Sequence, residues 1–317
     1  MKKYTIIITG ATATGKSSFA IELAKKISGE IINADIGSFY KPLTIGTAKP
    51  DWQSEDIPHH LFDIINKPIS YSIAQFRKEV KKVIQDIWQR GNIPIIVGGS
   101  AFYIKSFFYE QEEIKGAEKF VKELEKRSCE TKYLWQELYE IDGNRAKSIG
   151  RDDRYRIIRA LAIFRATGRK PSEFGQRFMP LSDYQLVICH REREELYTRI
   201  NHRVYQMIEN GWIQEVKQLQ KTAWKNFLLK KKIIGYDDLL ILLQNDLSLD
   251  EVTPIIQQKT RNYAKRQITF LNKLYKELSE QNLDEDLVGI VDQINLTLCD
   301  VGLYIRQLHS QLLKRFG

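Results

Sequence analysis

The most specific pattern in this chain is the run Gly10-Ala11-Thr12-Ala13-Thr14-Gly15-Lys16-Ser17. It matches the phosphate-binding loop G-x-x-x-x-G-K-[ST] without a mismatch. A continuous apolar, β-branched run at 4–9 (YTIIIT) precedes it, which predicts a strand buried on both faces, and a helical pattern from Lys16 to Lys26 follows. In such a loop backbone N–H groups surround a phosphate, the lysine adds a point charge, and the Ser17 hydroxyl can hold Mg²⁺. The sequence therefore predicts a phosphate or pyrophosphate site at residues 10–17.

The residues that follow repeat this alternation of strand and helix. A second apolar run at 30–34 (EIINA) ends at Asp35, and a third at 92–97 (NIPIIV) ends in Gly98-Gly99-Ser100. Between them, Tyr71–Arg90 is amphipathic and closed by Gly91, which predicts a helix with a C-terminal glycine. Alternating strands and helices are typical of a parallel sheet covered by helices. We therefore predict an α/β fold with a P-loop-containing parallel sheet.

The chain changes character after about residue 111. Residues up to Pro180 are charged and helix-rich, and a strand pattern returns only at 183–189 (DYQLVIC). This predicts a helical insertion domain at 112–182, within a core formed by 1–111 and 183–317. From Arg191 the core sequence is mostly helical, and the pattern assigns no role to the segment after Asp284.

Length and composition limit the class of protein. A chain of 317 residues suggests about two domains, and 43% hydrophobic with 28% charged residues is ordinary for a globular protein. No apolar run approaches the roughly 20 residues that cross a bilayer, and the N-terminus lacks the pattern of a signal peptide. The three cysteines are far apart and form neither a disulfide framework nor a zinc site. We expect a cytoplasmic location without a membrane partner, and a monomer.

Positive charge is concentrated in one segment. The net charge is +9, and residues 144–177 hold ten basic residues against three acids, a net charge of +7. Such a cluster fits either a polyanion-binding surface or a solvated helix face.

The loop alone leaves its reaction open. A nucleotide-binding loop of this kind often binds ATP in a kinase or nucleoside triphosphatase, where a later strand ends in an acid that helps to hold Mg²⁺. Here the strand at 92–97 ends in glycines and Ser100, while Asp35 could equally be a base that faces an acceptor. The kinase interpretation is weakened but stays open at this point.

Several motifs resemble, in order and spacing, the tRNA dimethylallyltransferases (isopentenyltransferases). They span residues 5–271 and include NADIGSFYKPLTIGTAKP, IPHHLFDI, VGGSAFYIKSF, RYRIIRALAIFRATGRKPS, IIGYDDL and TRNYAKRQITF. The resemblance implies transfer of a five-carbon group from dimethylallyl diphosphate to the exocyclic amine of the adenosine 3′ of the anticodon. The loop would then bind the donor diphosphate with Mg²⁺, and no γ-phosphate would be transferred.

The resemblance also implies roles for individual residues. Asp35 would be the base, Thr12 and Ser100 would lie near the donor phosphate and the acceptor, and Lys16 would stabilise the leaving diphosphate. Arg193 and Arg199 could close over that diphosphate or could be surface arginines. The family's Asp-Ser-x-Gln-x-Tyr pattern departs here, since Ile36 and Ser38 replace the Ser and Gln. The preference for the acceptor is therefore open.

For tRNA, the resemblance implies that the insertion grips the anticodon stem-loop. The implied RNA-binding residues lie near Asp35 and in two basic segments: Asp35, Ile36, Gly37, Ser38, Ser100, Tyr155, Arg156, Ile157, Ile158, Arg159, Arg261, Lys265 and Arg266. We interpret His59-His60 as structural. The alternatives are an adenylate isopentenyltransferase acting on free nucleotides, a small-molecule kinase, and an RNA-binding protein without catalysis. The basic insertion and the TRNYAKRQ block weigh against the first alternative, and the retained Lys16, Ser17 and Asp35 weigh against the last.

Overall fold

The computed structural model describes residues 3–112, 114–245, 248–281 and 287–316. Its strands are β1 (Tyr4–Gly10), β2 (Gly29–Asn33), β3 (His59–His60), β4 (Ile93–Gly98), β5 (Tyr109–Gln111), β6 (Gln176–Phe178), β7 (Asp183–His190) and β8 (Gly289–Asn295). Its helices are α1 (Lys16–Ile27), α2 (Ile36–Phe39), α3 (Ile73–Gln89), α4 (Ala101–Phe108), α5 (Ala117–Glu125), α6 (Thr131–Ile141), α7 (Gly143–Lys147), α8 (Arg154–Thr167), α9 (Arg193–Glu209), α10 (Trp212–Gln220), α11 (Trp224–Lys231), α12 (Tyr236–Asn245), α13 (Leu249–Ser279) and α14 (Val301–Phe316).

Six strands form one parallel sheet in the order β3-β2-β4-β1-β7-β8. The central strand β1 pairs with β4 on one side and with β7 on the other, and all of its residues are buried. Burial on both faces explains why its sequence is continuously apolar rather than alternating. The α/β fold with a parallel sheet flanked by helices is confirmed.

The direction of the strands positions the site. In a parallel sheet the carboxyl ends of all strands meet at one edge, and crevices at that edge bind ligands. The loop after β1, Asp35 after β2, Ser100 after β4 and Arg191 after β7 all follow strand ends at this edge. Four segments that are distant in sequence are thereby brought to one place.

Strand β8 was missed by the sequence analysis, which predicted mostly helix after Arg191. It pairs in parallel with β7 at the border of the sheet, where Asp292 accepts a hydrogen bond from Gln185 (2.7 Å). Asp292 and Gln293 interrupt its apolar pattern, because an edge strand is only half-buried. Together with α14, which packs against α1 through Tyr304 and Phe19, it gives part of the chain after Asp284 a structural role; Asp284 itself lies outside the described residues.

The chain divides into two compact units. The first comprises Met1–Phe107 and Leu181–Gly317 and holds the parallel sheet, and the second is Phe108–Pro180, beside the predicted boundaries 112–182. The second unit is mainly helical, with its own core of buried side chains from α5, α6 and α8. Strands β5 and β6 lie near the beginning and the end of this unit in sequence and pair with each other in antiparallel orientation. Each has three residues, which is too short for a periodic pattern to predict.

His60 belongs to a buried polar cluster beside β2. Its Nε2 lies 2.6 Å from Glu30 Oε2, and Arg90 and Asn92 donate to the same carboxylate. Burial acts against the charge on Glu30, but these hydrogen bonds outweigh it and lower the pKa of Glu30 to about 2. Across the described residues, no group of three or more His, Cys, Asp or Glu side chains could hold a metal ion.

No helix in the described part of the chain is both long and apolar enough to cross a bilayer.

Candidate active site

The loop at residues 10–17 has the backbone that its glycines and small residues allow. Ala13 (φ 66°) and Gly15 (φ 95°) adopt left-handed conformations, and α1 starts directly after Gly15. The Thr14 hydroxyl donates to the Ala11 carbonyl (2.9 Å), which braces the turn from within. The helix N-terminus therefore opens toward the loop and favours a negatively charged group there.

Lys16 is the cation at the centre of this loop. Its Nζ donates to the Ala11 carbonyl (3.4 Å), and burial lowers its pKa, while the nearby Asp35 carboxylate acts in the opposite direction. A partly dehydrated ammonium is electrostatically stronger than one in water. The arrangement suits an anion that enters the loop.

Three arginines contact the loop. Arg191 Nε donates to Thr14 O (2.6 Å), Arg199 Nε donates to Ala13 O (2.9 Å), and Arg203 lies 3.4 Å from the Thr12 hydroxyl. A Cβ on Gly15 would meet the Arg191 guanidinium at 3.3 Å, so the glycine also allows this close approach. Arg191 and Arg199 thus donate to loop carbonyl groups, and all three arginines place positive charge beside the loop.

Arg193, which the sequence analysis paired with Arg199, lies elsewhere on α9. Its guanidinium stacks over the Tyr197 ring at 5.3 Å, and its role as a diphosphate ligand stays a prediction. Arg191 and Arg203 were missed. Arg203 is four residues after Arg199 and shares its helix face, whereas Arg193 is six residues before it, so this periodicity was the available signal.

Gln267 connects the loop to the turn after β4. Its side chain is 3% exposed, its Oε1 accepts from the Thr12 N–H (2.9 Å), and its Nε2 donates to the Gly99 carbonyl (2.7 Å). One amide from α13 therefore satisfies two buried backbone groups on different loops. Gln267 lies within the TRNYAKRQ motif, but its contact to the loop could not be read from the sequence.

Asp35 is both a helix cap and a cavity residue. Its Oδ1 accepts from the Gly37 N–H (3.2 Å) at the start of α2, and its own N–H donates to Asn33 Oδ1 (2.9 Å). The same carboxylate lines two cavities and lies in the electrostatic field of Lys16 and Arg203. The capping contact is therefore compatible with a role of this carboxylate in the site.

Ser100 and Tyr263 lie beside this carboxylate. The Ser100 hydroxyl accepts from the Ile36 N–H (3.0 Å) and is hydrogen-bonded to the Tyr263 hydroxyl. Burial and the proximity of Asp35 raise the pKa of Tyr263, so its hydroxyl stays protonated at neutral pH. Ser100 thus keeps a hydroxyl within the site, tied to the backbone that follows Asp35.

Two cavities meet at Asp35. The loop cavity, about 200 Å³, is lined by Lys16, Ser17 and Arg199 among others. The larger cavity, about 460 Å³, is lined mostly by apolar and aromatic side chains from α9, α10, α11 and α13. Both are lined by Thr12, Asp35, Thr47, Ala48 and Arg203. A polar chamber for an anion and an apolar chamber for a ring or hydrocarbon thus share one carboxylate.

The segment at 44–48 (TIGTA) contributes to the lining of the larger cavity and is held in place by Glu215 and Trp212. Glu215 accepts from the N–H groups of Thr44 (3.0 Å) and Ile45 (2.8 Å), and from the Tyr236 hydroxyl (2.6 Å). Gly46 lies against the Trp212 indole, where a Cβ would approach to 2.0 Å. These contacts explain why the motif needs glycine at this position.

Comparison with known proteins identifies the family. The family model described as IPP transferase matches residues 38–274. The chain belongs to the IPP transferase family. It is 36% identical over 307 residues to the tRNA dimethylallyltransferase of Caldanaerobacter subterraneus, covering 90% of this chain and 97% of the relative. It is 39% identical over 282 residues to that of Carboxydothermus hydrogenoformans, covering 86% and 90%.

Solved structures of the IPP transferase family agree. The tRNA isopentenylpyrophosphate transferase of Staphylococcus epidermidis superposes with a TM-score of 0.67 at 30% identity, covering 99% of this chain and all of that one. A eukaryotic dimethylallyltransferase described as acting on tRNA gives 0.80 at 27% identity, covering 98% and 78%. The family predicted from the motifs is confirmed.

The residues predicted to bind RNA lie in both units. In the second unit, Tyr155 (69% exposed) and Arg156 reach the surface of α8, and Arg159 pairs with Glu118. Ile157 and Ile158 are buried in the core of that unit, so their side chains are not surface contacts, contrary to their place among the RNA-binding residues.

The other predicted RNA-binding residues lie in the first unit. Arg261 bonds Asn201 and Gln258, Lys265 is exposed, and Arg266 lies over Tyr263 at the larger cavity. Near Asp35, Ile36 and Gly37 line the larger cavity, whereas the buried Ser38 lines the loop cavity.

Proposed function

We propose that this IPP transferase moves a dimethylallyl group from dimethylallyl diphosphate to the exocyclic amine of the adenosine 3′ of the anticodon in tRNA, releasing diphosphate. The observation that carries the proposal is the single carboxylate, Asp35, at the junction of an anion-binding loop cavity and an apolar cavity. The names of the relatives, which are tRNA dimethylallyltransferases, support the same donor and acceptor.

The loop cavity takes the diphosphate in this proposal. Backbone N–H groups of residues 10–17, Lys16, Arg199 and Arg203 provide its positive charge. Mg²⁺ fits the donors present, since it prefers oxygen ligands and is usually held by one or two protein groups together with phosphate oxygens. The Ser17 hydroxyl lines this cavity and would supply a protein oxygen. When bound, the ion would neutralise charge that develops on the diphosphate.

The bond changes follow from the two cavities. The adenine amine attacks the terminal allylic carbon while the bond from that carbon to the diphosphate oxygen breaks, and the bonding electron pair leaves with the diphosphate. The amine is a poor nucleophile because its lone pair is delocalised into the ring, so loss of its proton must accompany attack. Asp35 accepts that proton, an effect typically of about 10²–10⁴-fold in rate. Lys16 and the arginines stabilise the negative charge on the leaving group.

The acceptor side requires the base to leave its stack. Enzymes that act on a nucleobase take it out of the helix or loop and hold it against aromatic or apolar side chains. The larger cavity offers such walls in Tyr40, Tyr71 and Trp212. The second unit, Phe108–Pro180, grips the anticodon stem-loop in this proposal, through α8.

The contribution of α8 is tested by replacing its surface arginine, Arg156→Gln. If Arg156 contacts an RNA phosphate, the slope of log affinity against log salt concentration should fall by about 0.7–0.9. Arg154 offers a matched control, since its guanidinium donates to the carbonyls of Cys129 (2.8 Å) and Arg127 (2.7 Å). Arg154→Gln should leave the slope unchanged; an unchanged slope in Arg156→Gln as well would remove this residue from the RNA surface.

The function as a whole is tested by offering labelled dimethylallyl diphosphate with tRNA, AMP or ATP as separate acceptors. The proposal predicts label in tRNA and equimolar release of diphosphate. It also takes the enzyme to be a monomer in the cytoplasm. Label in AMP or ATP without label in tRNA would instead support an enzyme acting on free nucleotides. Transfer of a γ-phosphate from ATP would support a kinase.

A further inference from the structure

Two lysines at the rim of the larger cavity have no role in the account so far. Lys231 and Lys232 end helix α11, their side chains are exposed, and both line the cavity that contains Asp35. Within the described residues, neither lysine has a carboxylate at ion-pair distance. Most lysines at helix ends point into solvent, whereas these two border a concave site.

Lys232 adopts a conformation that is unfavourable for lysine. It caps α11 with φ 49° and ψ 51°, in the left-handed region. Glycine or asparagine is the usual residue at such a helix end, since a larger side chain is strained there. Strained residues of this kind cluster at functional sites, where the side chain is needed for another purpose. A lysine thus borders the larger cavity at a position where glycine or asparagine would fit the backbone better.

The charges around the cavity indicate the sign of that ligand. Among the residues that the structure describes, its lining contains four cations, Arg203, Arg266, Lys231 and Lys232, but one carboxylate, Asp35. Arg203 also lines the loop cavity, where the diphosphate binds in the proposed function, but the two lysines do not. They therefore lie outside the proposed diphosphate site.

From these observations we infer that Lys231 and Lys232 form a phosphate-binding rim, which holds the RNA phosphodiester next to the adenosine whose base enters the larger cavity. The inference rests on the proposed function. A base inside the cavity leaves its sugar and phosphates at the mouth, where long lysine side chains can follow a mobile backbone. The lysines would position the nucleotide without contacting the reacting atoms.

The test uses the full chain, an anticodon stem-loop RNA and four variants. Lys231→Gln and Lys232→Asn remove one charge each, and Lys232→Arg retains the charge. Lys217→Gln removes a matched charge from an exposed lysine on α10 that lines neither cavity. The KM values for RNA and for donor, the salt dependence of RNA binding, and thermal unfolding are measured for each.

The first two variants should raise the KM for RNA roughly 3- to 10-fold. Each should also lower the salt slope by about 0.7–0.9, with the donor KM unchanged. Lys232→Asn should in addition melt about 1–3 °C higher, because asparagine tolerates the left-handed conformation. Lys232→Arg should keep the RNA affinity, and Lys217→Gln should behave as the original protein. A gain in stability with a loss of RNA affinity is a combination that a purely structural lysine would not give.

RNA affinity and salt slope that stay unchanged in Lys231→Gln and Lys232→Asn would overturn the inference. An increase in the KM for AMP, without one for the stem-loop, would reassign the rim to a free phosphomonoester and would also overturn it. Filter binding measures the affinity for the stem-loop, and therefore the contribution of the two lysines, without requiring turnover. If the original protein binds RNA but prenylates no acceptor, the proposed function fails while the rim is still tested.

Discussion

Asp35→Asn separates the two roles that the structure gives to this side chain. Asn has the same shape, and its Oδ1 can still accept the Gly37 N–H that caps α2. Asn and Asp are nearly equal as N-caps, whereas Ala costs about 1 kcal/mol. We therefore expect Asp35→Asn to unfold in urea within about 0.5 kcal/mol of the original protein, and Asp35→Ala to be about 1 kcal/mol less stable.

The rate should respond differently from the stability. Both variants lack the proton-accepting charge, so single-turnover transfer from labelled donor to tRNA should slow by at least about 10²-fold. That factor corresponds to about 2.7 kcal/mol of activation free energy. It exceeds the expected change in stability, and this difference in size distinguishes loss of a base from loss of a cap.

The pH dependence supplies a further check on Asp35→Asn. In the original protein Asp35 opposes the effect of burial, which lowers the pKa of Lys16. Without this carboxylate the pKa of Lys16 falls further, so the lysine loses its charge at a lower pH. As the pH is raised, the variant should therefore begin to lose donor affinity at a lower pH than the original protein does. A variant that retains a near-full single-turnover rate would refute the assignment of Asp35 as the base.

Three other changes give expected outcomes. Lys16→Ala should weaken inorganic diphosphate binding and slow transfer, measured by calorimetry and single turnover, because the anion loses a buried cation; unchanged affinity would contradict the loop assignment. Gln267→Leu should lose about 2–4 kcal/mol in urea unfolding, since the Thr12 N–H and the Gly99 carbonyl lose a buried partner; unchanged stability would contradict this role of Gln267. Glu30 contributes about 3 kcal/mol above its unfolded pKa near 4.5, lost as the pH falls towards about 2; Glu30→Gln should therefore show a weaker acid dependence of unfolding, and equal dependence would exclude this source.

The elements that the sequence predicted well are the fully buried ones. Strands β1, β2, β4 and β7 have continuous apolar runs because helices or other chain segments cover both of their faces. The edge strand β8 and the short strands β5 and β6 lack that signal, since they are half-buried or only three residues long. Local patterns report burial, and burial is greatest at the centre of the sheet.

The residues of the site likewise fall into those that the sequence predicts and those that only the fold brings together. Residues 10–17 and Asp35 could be assigned in advance, because the loop is contiguous and the aspartate follows a clear strand. For Arg203 the only signal was its helical spacing from Arg199, and for Gln267 there was none, since their partners on the loop lie 191 and 255 residues away in sequence. Arg203 approaches the loop from α9 and Gln267 from α13, so only the packing of those helices on the sheet edge brings them there.

The measurement that tests the account most directly is the position of the prenyl group in the product. tRNA is incubated with the protein and dimethylallyl diphosphate, cleaved with nucleases, and analysed by mass spectrometry of the fragments and nucleosides. The account predicts one added five-carbon group, on the exocyclic amine of the adenosine immediately 3′ of the anticodon, and none when Asp35→Asn is incubated for the same single-turnover time. A prenyl group on another nucleotide, or tRNA that stays unmodified while the donor is consumed, would contradict it.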